Sequence, residues 1–563
     1  MGGFFNTIGS SYLEGLNVKR KTFLLIPILL GSLAFQLYEV DEPWVGHMDF
    51  AGAIYGILSR NFIKHGYVET RFGPAINTGT VGEGEYTYYL HHPPLFYYLV
   101  SISYKLFGIH EWNARIVPIL FSIVALAFFF GLVRKIWGIE EAYFSTFLLA
   151  FLPMNLYFSR IYLQESSITL GIILILWYYV KWRETRRNAD YWKMVILFVI
   201  FGMIDWPAYY ILPLLTIHSL IIDRNTGSPG RLRMFLLPLF GVVLFIVFLV
   251  YSSYISSHQS GAGLFHSFLF RSAMKTPFLR YSQIDFLRLE VARSYHLFTP
   301  IVLILSTIWV IDFLRVRSDL ERNLYVVILL LFGSFHVLLF QSASYIHDFW
   351  LYHLCTGLSL ASGLALTSLL KHRVIAEKGL VRTSALVILS VVTVLFSARE
   401  VIGLHRISEN EDLSVAGMMI REMSGEDDRV IVHWEDPVHR MVGDYFRYYG
   451  SPVYTKPIPN VAYYADRNIR WGVKDIQDFE SLVQLPGGRY RFFLTRIDYM
   501  RGGMDEAIKD YLLQHFEPLF MLDSRGEKVA ENILSSFLKG GEVDGREGVI
   551  VFGRKAERTS GQF

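Results

Sequence analysis

Apolar blocks, each close to the thickness of a bilayer, recur along the chain up to about residue 400, separated by short polar segments. The first, near 22–38, follows Lys19, Arg20 and Lys21 and runs on into Glu39, Asp41, Glu42 and Trp44. No small-residue cleavage site follows it, so it reads as an uncleaved first span. Further blocks lie near 115–133, 141–157, 167–181, 192–206, 207–222, 234–254, 298–314, 323–341, 350–370 and 381–398. The pattern predicts an α-helical polytopic membrane protein with about eleven transmembrane helices. The pair meeting at Asp205-Trp206-Pro207 can also be read as one span.

The basic residues give an independent check, because cytoplasmic loops collect Lys and Arg. With the N-terminus inside, the inner loops hold Arg134 and Lys135, then Lys181, Arg183, Arg186 and Arg187, then Arg224, Arg231 and Arg233. Arg315, Arg317 and Arg322 follow, and then Lys371, Arg373, Lys378 and Arg382. An odd number of spans then puts the chain from about 403 to 563 outside the cytoplasm. Two outer loops are long, about 41–114 and 255–297, and the stretch 94–107 of the first reads as a helix lying along the membrane surface.

The tail changes period. Short apolar runs at 429–434, 491–495, 518–522 and 548–552 read as strands, with helical patterns at 412–423 and 505–516 between some of them. Strands alternating with helices predict a small extracytoplasmic α/β domain, 403–563, after a transmembrane domain, 1–402.

Composition narrows the classes. The 563 residues are 52% hydrophobic and 18% charged, where a soluble domain carries about a quarter charged residues. A net charge of +3 is too small for a nucleic-acid binder. The single cysteine, Cys355, excludes an internal disulfide framework and a cysteine-rich zinc site.

Ionisable groups beside spans are costly and call for an explanation. Asp49 opens the helix-like stretch 50–58, which ends in Ser59-Arg60-Asn61. Its plain reading is a helix N-cap or first-turn acid. His91 and His92 precede Pro93-Pro94, where they suit an interfacial turn, a divalent ion or a phosphate, and adjacency alone is a weak metal signal. Arg160 and Glu165 share a short loop and could simply pair. Tyr345, His347 and Asp348 begin a span at which aromatic residues are expected as an interface belt, and that belt explains the last two less well. The 255–297 loop adds Arg271, Lys275 and Arg280. By the topology all of these lie on the outer face. Carboxylates there can accept a proton from an attacking hydroxyl, and the cations can offset charge on a departing phosphate.

These clusters, in this order, resemble the GT-C superfamily of polyprenyl-phosphate-sugar glycosyltransferases. The likeness is strongest to the dolichyl-phosphate-mannose–protein mannosyltransferase and aminoarabinose-transferase group. The residues that carry it are Asp49, Ser59-Arg60-Asn61, His92-Pro93-Pro94-Leu95, Lys105-Leu106-Phe107-Gly108, Trp112-Asn113-Ala114-Arg115, Arg160 to Glu165 and His347-Asp348-Phe349. It covers about 20–370 and leaves the tail out. The resemblance implies a sugar donor linked to a polyprenyl phosphate, an acceptor hydroxyl on a protein, lipid or glycan, and an aspartate base that maps to Asp49. Glu165 is expected to assist, with Arg60, His91, His92, Arg160, Arg271, Lys275, Arg280, Tyr345, His347 and Asp348 binding substrate. The family's Asp-Glu pair is absent at Asp49, which Phe50 follows, so Asp41 or Glu42 is the alternative base. No cofactor is certain and a divalent metal is possible but not indicated: some relatives use one, while these histidines lack a decisive ligand spacing. The expected location is a prokaryotic cell membrane, with the active site on its extracytoplasmic side. A transporter or lipid flippase is the rival reading, and it predicts paired broken spans in two related halves, which the sequence lacks.

The orientation is checked by reporter fusions: alkaline phosphatase joined after residue 405 is expected to be active and joined after residue 186 inactive. The reverse pattern overturns the assignment.

Overall fold

The structure, a computed structural model, describes residues 23–82, 86–223, 230–255, 261–272, 281–316, 319–372, 379–407, 411–433, 459–485, 490–540 and 547–555. Each of the eleven apolar blocks carries a helix. Among the described residues five helices are long and apolar enough to cross a membrane: Glu111–Ile136, Leu232–Ile255, Leu320–Leu339, Asp348–Lys371 and Gly379–His405. A sixth is obtained if Gln283–Phe298 and Pro300–Val316, which meet at a bend of 108°, count as one broken span. The stretch expected along the membrane surface is the helix Leu95–Phe107. The described residues of the long loop at 255–297 carry the helices Gly261–Ser272 and Gln283–Phe298.

Contacts divide the chain into two compact units, neither continuous in sequence. The first gathers the described residues of Met1–Val40, Arg115–Phe248 and Phe268–Leu404; the second those of Asp41–Ala114, Leu249–Ser267 and His405–Phe563. The long first loop thus shares its unit with the tail.

In the first unit, helices are held by small residues and by buried polar links. A Cβ on Gly363 would come within 2.6 Å of the Ser145 backbone nitrogen, so Cys355–Lys371 and Ile139–Ala150 touch through their backbones. In an apolar solvent such close approach replaces the hydrophobic drive that water would supply. Gln36 donates to Ser32 at 3.0 Å and to Ser122 at 3.2 Å. Ser122 in turn donates to Asn155 at 3.3 Å, and the Tyr352 hydroxyl donates to the same Asn155 oxygen at 2.9 Å. This string ties four helices together, because an unpaired polar atom there would cost more than the bond gains.

The tail contains the expected α/β domain. Its strands are β1 (Arg429–Val432), β2 (Asn468–Trp471), β3 (Tyr490–Arg496), β4 (Phe516–Asp523) and β5 (Gly548–Arg554), in the order β2-β1-β3-β5-β4. The first three run parallel, and β5 is antiparallel to both β3 and β4. Buried Val430, Ile431, Phe493, Leu494, Ile550 and Val551 form its core. The helices Glu411–Met423 and Glu506–His515 lie where the helical patterns predicted them, and Ile476–Gln484 is added; Asp475 caps the last and Asp505 caps Glu506–His515.

Burial raises the carboxyl of Asp412 to about 6, with Arg496 nearby acting in the opposite sense. Folding therefore favours its neutral form. That contribution is complete below about pH 4 and is lost as pH rises through about 6, leaving a buried charge that weakens the domain. Asp412→Asn is expected to match the parent below pH 4 and to exceed it at pH 8 by up to about 3 kcal/mol, read by hydrogen exchange across the tail. Equal stability at both pH values would refute this.

Candidate functional site

The candidate residues fall into two groups, one in each unit. In the second unit, Asp49 ends a tight turn in which Val45 donates to the Pro43 carbonyl and the Asp49 amide to that of Gly46. Met48 sits at φ 65°, a left-handed conformation that costs a side chain of this kind about 1 kcal/mol or more. Asp49 stands at the N-cap position of Phe50–Lys64 but does not cap it. Its Oδ2 instead accepts the Gly46 amide at 3.0 Å, and the residue is 3% exposed. One turn and a half into the helix, Tyr55 meets His92 edge-on, and Tyr89 stacks on the same ring at 6.0 Å. The His91 ring meets that of Tyr89 edge-on at 5.1 Å. The structure thus gathers both histidines around the helix that Asp49 begins.

Arg60 is elsewhere. Eleven residues along a helix is about 16 Å, and the Arg60 guanidinium faces the tail. Its Nη1 donates to the Tyr463 carbonyl at 2.7 Å and its Nη2 pairs with Asp466 at 3.0 Å. Both terminal nitrogens of Arg60 thus serve protein partners. Lys64 joins the same carboxylate at 2.9 Å. Burial raises the Asp466 carboxyl, but Arg60 and Lys64 together outweigh it and hold the group below its ordinary value.

In the first unit, the turn after Pro153–Phe158 carries Ser159, Arg160 and, at the start of Glu165–Thr185, Glu165. Ser159 contacts the Tyr352 hydroxyl at 3.0 Å, which joins this turn to the buried polar string. Arg160 is buried and donates to the Glu39 carbonyl. Glu165 is 8% exposed, and its Oε2 has no hydrogen-bond partner among the described residues. Asp205 lies within electrostatic reach of Glu165, Tyr210 and His353, and Arg271 within that of Tyr210. Glu165, Asp205, Tyr210, His353 and Arg271 are therefore linked electrostatically within the first unit.

The cluster at 345–348, also in the first unit, is held through its backbone. Arg293 donates to the carbonyls of Ser344 at 2.5 Å and Tyr345 at 3.1 Å while pairing with Glu290 at 3.2 Å. The Tyr345 ring lies flat on Tyr281 at 4.3 Å, and His347 stacks on Phe349 at 5.1 Å. Asp348 is within electrostatic reach of Glu290. Lys275 and Arg280 lie outside the described residues.

Comparison with known proteins fixes the architecture. Residues 91–254 match the family described as dolichyl-phosphate-mannose-protein mannosyltransferase. An uncharacterized protein of Aquifex aeolicus (strain VF5) is 27% identical over 201 residues, 35% of this chain and 36% of that protein's length. The crystal structure of ArnT from Cupriavidus metallidurans bound to undecaprenyl phosphate has a TM-score of 0.58 at 13% identity, covering 94% of this chain and 98% of that one. This chain has the GT-C fold. The archaeal oligosaccharyltransferase AglB from Archaeoglobus fulgidus, solved with an inhibitory peptide and a dolichol-phosphate, has a TM-score of 0.51 at 12% identity. It covers 90% of this chain and 74% of AglB.

Four residues near these clusters were not singled out from the sequence. Asp205 carried a signal, an acid interrupting two apolar blocks. His353 and Glu290 gave none, since each lies among residues that read as span or loop. Asp466 sits in a tail that the family likeness does not reach, and only the fold brings it to Arg60.

Proposed function

We propose that the protein transfers a sugar from a polyprenyl-phosphate-linked donor to an acceptor hydroxyl on the outer face of the membrane. The reading is supported above all by the fold likeness to ArnT, whose structure contains undecaprenyl phosphate, across nearly the whole of both chains. The family match over 91–254 agrees with it.

In this reading the transfer is a single inverting displacement. Asp49 accepts the proton of the acceptor hydroxyl as its oxygen bonds to the anomeric carbon and the bond to the phosphate oxygen breaks. The bond from Gly46 orients the carboxylate, and its burial keeps competing water away. Phosphate leaves readily, so charge compensation is enough on that side, and Arg271, Lys275 and Arg280, with Arg160 and His347, are the cations assigned to it. Glu165 is assigned to the hydroxyls of the sugar or acceptor, a role that suits a buried oxygen without a hydrogen-bond partner among the described residues. His91 and His92, beside the helix of Asp49, are assigned to the same substrate.

Asp49→Asn is expected to lower turnover by roughly 10²- to 10⁴-fold while the protein remains folded and inserted. Transfer is read with the lipid-linked sugar that accumulates, by mass spectrometry, when the protein is removed from its host. Near-normal turnover moves the base to Asp41, Glu42 or Glu165.

A further inference from the structure

The tail and the first long loop belong to one unit, and one short element accounts for much of that union. The seven-residue helix Pro459–Ala465, together with Asp466, reaches both ends of the segment that carries Asp49.

At the near end the contact is Trp44, five residues before Asp49 and fully buried. Its amide donates to the Tyr464 hydroxyl at 2.7 Å, and that hydroxyl donates to Glu111 at 2.7 Å. Its carbonyl accepts from the Asn460 amide and, at 3.4 Å, from Ser414. Its indole meets the Tyr463 ring edge-on at 6.3 Å. At the far end, Arg60 is bonded to the Tyr463 carbonyl and paired with Asp466, and its guanidinium lies over the Tyr463 ring at 5.1 Å. Between the two, the helix carries glycine where the neighbouring rings come closest. A Cβ at Gly52 would lie 2.3 Å from the Trp44 ring, and one at Gly56 would lie 2.7 Å from the Tyr463 ring. Neither contact leaves space for alanine.

We infer that residues 459–466 of the tail are a brace that positions the Asp49 carboxylate, with Asp466 acting through Arg60, and Asn460 and Tyr464 acting through Trp44. The inference rests on Asp49 being the base. It gives the tail a part in the transfer without contact to substrate: Asp466 and Tyr464 are positioning residues. The energetic reason is the Arg60 charge. A guanidinium buried to this degree needs a carboxylate and a carbonyl close by, and both come from the tail. Once they are in place, the helix cannot turn or slide without separating a buried ion pair. Displacements of about 1 Å at a reacting group can cost as much as 10²-fold in rate, so a fixed helix bears directly on catalysis.

The test uses the full chain in nanodiscs with Asp466→Asn, Asp466→Glu and Lys64→Met, and Asp478→Asn as a control in the same tail. Hydrogen exchange is expected to rise across Trp44–Lys64 in Asp466→Asn, less in Lys64→Met, and not in the control. Transfer of the lipid-linked sugar isolated from the deletion host is expected to lose roughly 10- to 100-fold in kcat in Asp466→Asn, with donor KM unchanged. Asp466→Glu should recover most of the loss. Unchanged exchange in Asp466→Asn overturns the brace. Loosened exchange with normal kcat overturns its catalytic role, and so does a rise in KM alone. Failure of the Asp49 assignment is visible separately, as turnover by Asp49→Asn, because the exchange result does not depend on which carboxylate is the base.

Discussion

A polar group surrounded by apolar atoms has to find a partner, and that constraint organises this protein. It produces the Gln36–Ser122–Asn155–Tyr352 string between helices and the bond from Arg160 to the Glu39 carbonyl. It also produces the Arg60–Asp466 pair. Each buried bond adds only about 1 kcal/mol net, whereas a group left without its partner costs several times that. These links therefore act less as a source of stability than as a filter on arrangement. Helices that can slide along an apolar surface are confined to the one register in which their polar atoms meet.

The same constraint makes the exceptions informative. Glu165 keeps a buried oxygen without a hydrogen bond among the described residues and has a second acid, Asp205, in electrostatic reach. Met48 holds a left-handed backbone directly before a buried carboxylate. Unmet polar demand and backbone strain are both tolerated where a ligand completes the arrangement.

Much of the secondary structure was legible because it depends on local periodicity. The eleven apolar blocks each carry a helix, and four of the five strands among the described residues lie where short apolar runs predicted them. The strand that was missed, β2, reads Asn468-Ile469-Arg470-Trp471 and is half-buried throughout. It has no apolar run to announce it, and it exists because β1 offers a parallel edge. The bend of 108° between Gln283–Phe298 and Pro300–Val316 was hidden for a related reason: Thr299, at φ 66°, sets it, and one residue's backbone angle leaves no trace in a hydropathy pattern.

The sequence by itself determined where apolar segments begin and end, which acids and cations stand beside them, and that the tail is a small α/β domain. These follow from solvent transfer and from neighbours a few residues apart, which act on any stretch of chain. Tertiary structure alone decided which of those charged residues are already partnered. Arg60 and Asp466 are 406 residues apart, and no local rule distinguishes an arginine that awaits a ligand from one that a distant carboxylate has neutralised. Coulomb attraction in a buried site depends on separation in space, which the order of residues does not contain.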